Sequence, residues 1–127
     1  MKRRIVIAVD DSKMVLHIVS SAIETLGYKP VTASHGGMAL DLLEQIGEEV
    51  ALIILDWNMP ELDGLATLTA IKKHPTWSRI PVMMVTSANA QASIITAIQA
   101  GAEHYLTKPF SNQDLITRMV ECLGLGG

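Results

Sequence analysis

Five short apolar runs of strand length alternate with five longer stretches whose apolar residues recur at helical spacing. This alternation restricts the fold more than any single motif does. The runs are RIVIAV at 4–9, KPVTA at 29–33, ALIIL at 51–55, IPVMMV at 80–85 and EHYLT at 103–107. In the first intervening stretch Val15, Ile18, Val19, Ala22 and Leu26 follow an i, i+3, i+4, i+7, i+11 series. Gly27 stands where a left-handed cap would end a helix, so a helix is predicted over 12–26. Leu40, Leu43 and Ile46 predict a second over about 37–46, and Leu65, Leu68 and Ile71 a third over about 64–73, ahead of His74-Pro75. Asn89 is placed to cap a fourth over about 90–100, and Ser111 with Asp114 forms a capping-box start for a fifth over about 111–123.

Strands that alternate with helices imply a parallel sheet with right-handed crossovers and helices on both faces. The aliphatic runs at 5–9, 51–55 and 82–85 suit central strands buried on both sides, while KPVTA, with Pro30 near its start, suits an edge. The expected fold is therefore α/β, a (βα)5 doubly wound parallel sheet in the order 2-1-3-4-5. At 127 residues the chain has the size of one domain, so a single domain over 1–127 with its core at about 4–123 is expected.

Composition removes several function classes. A hydrophobic fraction of 49% excludes disorder, and no apolar run approaches the ~18 residues of a membrane span. MKRR leads straight into IVIAV and two aspartates, without the long apolar segment of a secretory leader, so a cytoplasmic location is expected. A net charge of -3, with basic residues scattered except for KRR at the start, argues against nucleic-acid binding. The single Cys122 cannot form an internal disulfide and reads as a buried structural thiol.

Functional groups of open parallel sheets gather at the carboxyl ends of the strands. There this chain places Asp10-Asp11 after strand 1, Asp56 after strand 3, Thr86-Ser87 after strand 4 and Thr107-Lys108-Pro109 after strand 5. Strands 1 and 3 are neighbours in the expected order, so three carboxylates converge and would repel one another. A hard divalent cation relieves this, because Mg²⁺ takes one or two carboxylates together with waters and phosphate oxygens. Lys108 adds a point charge and Thr86 a hydroxyl, which completes the equipment for phosphoryl transfer. Asp56 is the expected nucleophile, since it sits at the centre of the sheet ahead of a loop marked by Pro60 and Gly64.

DD at 10–11, LDWNMPELDG at 55–64, VTS at 85–87 and AGAEHYLTKPF at 100–110, in this β/α order, resemble the receiver domain of two-component response regulators. The resemblance covers about residues 4–123, and the DWNMP loop is especially similar to single-domain chemotaxis regulators. It implies a flavodoxin-like fold and Asp56 as phosphoacceptor, supplied by a phosphohistidine of a sensor histidine kinase. It implies Mg²⁺, or Mn²⁺, bound by Asp11, Asp56 and the backbone carbonyl of Asn58, with Asp10 acting through water. Lys108 would pair with the phosphoryl group, the peptide to Pro109 would be cis, and Thr86 would swing to a phosphoryl oxygen while Tyr105 turns inward behind it. No enzyme activity is implied beyond self-catalysed phosphotransfer and autodephosphorylation. With no effector domain expected after helix 5, the output would be binding of an unknown downstream protein to the face of helix 4, strand 5 and helix 5. A monomer is expected, with dimerisation on phosphorylation as a variant. The alternative is a phosphorelay or phosphate-sink intermediate that hands the group to a histidine phosphotransfer protein. A flavin carrier of similar topology is disfavoured, because DDSKM after strand 1 presents negative charge to a phosphate.

The remaining features read as structural. His17, His35, His74 and His104 show no metal-ligand spacing, Trp57 reads as a partly exposed reporter beside Asp56, and Trp77 as loop packing. Residues 89–102 carry no charge, and Ile94, Ile95 and Ile98 span about 100° of a helix, narrow enough for a sheet-facing stripe to take all three, with one at its edge. Similar chemotaxis regulators bear charges where this chain has Gln91, Ala92 and Ser93, so the resemblance leaves the flagellar-motor partner open without touching the phosphoacceptor site. Leu16 and Ile23 hint at a second apolar contact on the outer side of helix 1.

Overall fold

The computed structural model describes residues 3–57, 64–87 and 91–125. Strand and helix alternate throughout: β1 (Ile5–Val9), α1 (Lys13–Thr25), β2 (Lys29–Ala33), α2 (Gly36–Ile46), β3 (Val50–Asp56), α3 (Gly64–Lys73), β4 (Val82–Ser87), α4 (Gln91–Gln99), β5 (His104–Lys108) and α5 (Asn112–Leu123). Short 3-10 turns at Gly47–Glu49 and Trp77–Arg79 lead into β3 and β4. All pairings are parallel, in the order β2-β1-β3-β4-β5 expected from the sequence.

Period-2 alternation divides the central strands between two cores. Ile7, Val9, Ile53, Leu55, Val82 and Met84 pack with Leu43, Leu68 and Ile71 of α2 and α3. Val6, Ala8, Leu52, Ile54, Met83 and Val85 pack with Val19, Ile23, Leu115 and Met119 of α1 and α5. Each large side chain so enclosed contributes about 1.5–3 kcal/mol relative to exposure. The edge strands β2 and β5 each keep only one fully buried residue, Ala33 and Leu106.

Local chemistry sets the helix ends. Ser12 caps α1 by accepting the Val15 N–H at 3.3 Å, and Gly27 beyond its end takes the left-handed φ of 85°. His35 caps α2, its Nδ1 accepting the Met38 N–H at 3.2 Å. The capping box of α5 forms as expected, the Ser111 hydroxyl accepting the Asp114 N–H at 3.0 Å and the Asp114 carboxylate the Ser111 N–H at 3.3 Å. The cap expected of Asn89 lies outside the described residues.

Two expectations about helix faces need correction. In α4 the residue fully buried is Ala97, while Ile95 and Ile98 are 54% and 51% exposed. Ala97 and Ala102 make the contact with the core, which turns these two isoleucines outward instead of into a sheet-facing stripe. In α1, Ile23 is fully buried and Leu16 packs on the core, because α1 leans on α5 as well as on the sheet and so hides a wider arc. The apolar residues exposed on α1 are instead Met14 and Ile18.

Candidate functional site

Each side chain of the site stands at the carboxyl edge of the sheet. The backbone of Asp10 still tracks β2, its N–H donating to Ala33 O at 3.1 Å. Its carboxylate then divides its bonds. Oδ1 accepts the Ser12 N–H at 2.9 Å, while Oδ2 accepts from Lys108 Nζ at 3.3 Å. Asp10 thus shapes the turn and leaves capping of α1 to Ser12. Asp56 closes β3, and its Oδ1 accepts from the same Lys108 Nζ at 3.3 Å. Asp10 and Asp56 are buried, at 4% and 3% exposure, whereas Asp11 is exposed and lies on the solvent side.

One oxygen from each of Asp10, Asp11 and Asp56 lies within 4.8 Å of the others. Among the described residues this is the one group of candidate metal ligands that converges. Three carboxylates face one ammonium group, which leaves a local excess of two negative charges. An all-oxygen donor set with that excess fits a hard divalent cation such as Mg²⁺. Burial alone would lower the pKa of Lys108, but attraction to Asp56 and then Asp10, with a hydrogen bond to each, outweighs it and raises the value above 10.5. Lys108 is therefore a fixed positive charge at neutral pH.

Thr86 is 2% exposed, and its Oγ1 is the one enclosed side-chain polar atom among the described residues that has no hydrogen-bond partner. An orphaned buried hydroxyl costs about 1–3 kcal/mol, which marks it as held for an acceptor. Register places it beside the acceptor strand: Asp56 pairs with Val85, and Thr86 pairs with Thr107 next to Lys108. Tyr105 is not turned inward here. It is 38% exposed on β5 and lines a shallow pocket of about 440 Å³ with Thr117 and Arg118 of α5. The Lys108–Pro109 peptide bond is cis. Asn58, expected to offer a backbone carbonyl, lies outside the described residues.

Gly64 matters more than a loop signal would suggest. A Cβ there would meet the Asp56 carbonyl oxygen at 2.5 Å and the Trp57 Cα at 2.7 Å, and its N–H donates to Trp57 O at 3.1 Å. The first residue of α3 therefore rests on the backbone that holds the acceptor carboxylate. A glycine shortly after an acidic strand end was the available signal. Trp57 is half-buried against the core beneath, its N–H bonded to Val85 O at 2.8 Å.

Comparison with known proteins agrees with this geometry. The family described as response regulator receiver domain matches residues 6–120. A chemotaxis protein CheY homolog of Campylobacter jejuni is 37% identical over 121 residues, 94% of this chain and 92% of that protein. Chemotaxis protein CheY1 of Helicobacter pylori is 34% identical over 119 residues, 93% of this chain and 95% of that protein. Among solved structures, the chemotaxis protein CheY4 of Vibrio cholerae superposes with a TM-score of 0.86 at 28% identity, covering 94% of this chain and 98% of that one. A putative response regulator from Chloroflexus aurantiacus gives 0.88 at 27% identity, covering 95% and 98%.

Proposed function

The chain belongs to the response regulator receiver family, and from that membership we propose that Asp56 accepts a phosphoryl group from a phosphohistidine of a sensor histidine kinase. The observation that carries the proposal is the buried Asp56 carboxylate held beside Asp10 and Asp11 with Lys108 bound to it. An Asp56 carboxylate oxygen attacks phosphorus as the P–N bond to the donor imidazole breaks and the electron pair returns to the ring nitrogen. The product is an aspartyl phosphate, later hydrolysed by water, and no further enzyme activity is needed. Mg²⁺ or Mn²⁺ held by Asp10, Asp11 and Asp56 would supply the positive charge that allows an anionic group to approach three carboxylates. Met14, 74% exposed one residue into α1, is apolar surface next to the site that the kinase would cover.

The phosphoryl group brings roughly -1.5 to -2 charge and three acceptor oxygens. Lys108 can move from the carboxylates to one oxygen, and the Thr86 hydroxyl gains the acceptor it lacks. Charge-assisted bonds at about 1.5–3 kcal/mol each reach the ~5.5 kcal/mol that turns a 1:99 equilibrium into 99:1. Movement of Thr86 vacates space toward which Tyr105 turns, altering the face formed by α4, β5 and α5. Ile95, Ile98 and Tyr105 already expose apolar surface there for a downstream protein. No described helix is long and apolar enough to cross a membrane, and the reaction suits the cytoplasm, where a sensor kinase presents its phosphohistidine. Acetyl phosphate with Mg²⁺ should add one phosphoryl group by intact mass, and Asp56→Asn should abolish the addition. Labelling that persists in the Asn variant would defeat the assignment.

A further inference from the structure

Trp77 is 8% exposed, yet its indole N–H makes no hydrogen bond to any described residue. It is not enclosed, since Thr86 Oγ1 is the one sealed side-chain polar atom lacking a partner among the described residues, and Trp77 lines a cleft of about 770 Å³. The cleft lies at the amino end of the sheet, between the end of α2 and the 3-10 turn before β4, far from Asp56. Gly47 packs against this edge of the indole, where a Cβ would press on Trp77 Nε1 at 3.1 Å.

The walls have one sign of charge. Glu44, Glu48 and Glu49 line the cleft, and among the described residues no lysine or arginine does. The carboxyl end of α2 has no basic residue in its last turn, so the negative pole of the helix adds to theirs. Arg3 at the margin is already engaged, donating to Gly47 O at 2.9 Å and Val50 O at 2.8 Å. His74 accepts at Nδ1 from the Thr76 and Trp77 N–H groups, at 3.1 and 3.3 Å, so the neutral ring carries its proton on Nε2. It stacks on the indole with centroids 3.7 Å apart and planes 9° from parallel, forming a rigid aromatic wall.

A ligand for this cleft must bring positive charge to the carboxylates and an acceptor oxygen to the indole N–H. A bare metal ion lacks the acceptor, and an anion would meet three carboxylates. A main-chain carbonyl flanked by Lys or Arg side chains has both. We infer that the cleft docks a basic, extended segment of a partner protein, with a backbone carbonyl on the Trp77 N–H and basic side chains among Glu44, Glu48 and Glu49. Docking is independent of the phosphorylation state of Asp56, which lies at the other end of the sheet.

The test titrates the heptapeptide amide Gly-Lys-Gly-Arg-Gly-Lys-Gly into the whole chain and follows the two indole N–H signals by NMR. The Trp77 signal should shift and saturate while the Trp57 signal stays in place, and a control peptide with Glu for each Lys and Arg should move neither. The triple variant Glu44→Gln, Glu48→Gln, Glu49→Gln, which keeps side-chain volume, should bind about tenfold more weakly. Asp56→Asn should bind like the parent, so failure of the phosphoacceptor assignment would leave this result standing. A Trp77 signal unmoved at millimolar peptide, an equal response to the acidic peptide, or undiminished affinity in the triple variant would overturn the proposal. Butylamine alone shifting the signal as far as the peptide does would also overturn it, in favour of a small-amine site.

Discussion

A Cβ on Gly64 would stand 2.5 Å from the carbonyl oxygen of Asp56, so the start of α3 is in direct backbone contact with the end of the acceptor strand. The three nearest atoms to that Cβ are all main chain, of Asp56 and Trp57, and none can rotate away. Gly64→Ala must displace β3 or α3, at an expected cost of about 1–3 kcal/mol in urea unfolding. It should also slow phosphorylation by acetyl phosphate, because the carboxylate moves with its backbone. Gly27→Ala is the matched control. It is strained at φ 85° but has nothing within 4 Å, so it should lose stability while keeping the parent phosphorylation rate. Equal rates in the two variants would refute the coupling.

Thr86→Val should separate stability from switching. Valine keeps the shape of threonine and removes a buried hydroxyl that has no partner, so the unmodified protein should be as stable as the parent or gain up to about 1–2 kcal/mol. The same change removes the group proposed to bond the phosphoryl oxygen. The variant should therefore accept a phosphoryl group by intact mass but lose the phosphorylation-dependent change in Tyr105 exposure, read by the NMR shifts of β5. Clear destabilisation would show that the hydroxyl already has a partner.

The strand order was legible because every central strand is aliphatic on both faces and every edge strand is not, and the order alone brings Asp10, Asp56 and Lys108 to one edge. What was illegible depends on contacts distant in sequence. Ile95 and Ile98 lie on a narrow arc of α4, but nothing local says that Ala97 and Ala102 make the core contact in their place. Gly64 reads as a loop residue until β3 and α3 are docked. Lys72 looks like a solvated helix-end lysine, yet its Nζ donates to Ser78 O at 3.2 Å, Ile80 O at 2.8 Å and Glu103 Oε2 at 3.0 Å, while Glu103 Oε1 accepts the Val82 N–H at 2.9 Å. Periodicity carries no information about such a pairing across 31 positions.

Cys122, half-buried against the core, should behave as an inert thiol. Burial, and then the nearby Glu103 and Glu121, push its pKa up to about 12 against a small opposing effect of Arg118. At pH 8 only about one thiol in ten thousand is then ionised, and the thiolate is the reactive form. Reaction with a disulfide reagent such as DTNB should be at least ~100-fold slower in the native protein than in urea. Comparable rates would show that the end of α5 opens readily.

Lys108 gives a pH signature with a definite sign. Its folded pKa lies above the ordinary 10.5, because its attraction to Asp56 and Asp10 outweighs the effect of burial. A group whose pKa is raised by folding contributes stability that is complete below its unfolded value and is lost as pH rises through the folded one. Lys108→Gln deletes that contribution, and at neutral pH it should lower the urea midpoint by leaving Asp10 and Asp56 without their shared cation. The difference between parent and variant should stay level up to about pH 10 and close above it, as the ammonium group loses its proton. Subtracting the variant removes the titration of the other lysines and the tyrosines, which the two proteins share. A difference that persists unchanged to pH values well above 10.5, or one that vanishes in the acid range instead, would mean that the two carboxylates do not hold Lys108 in its charged form.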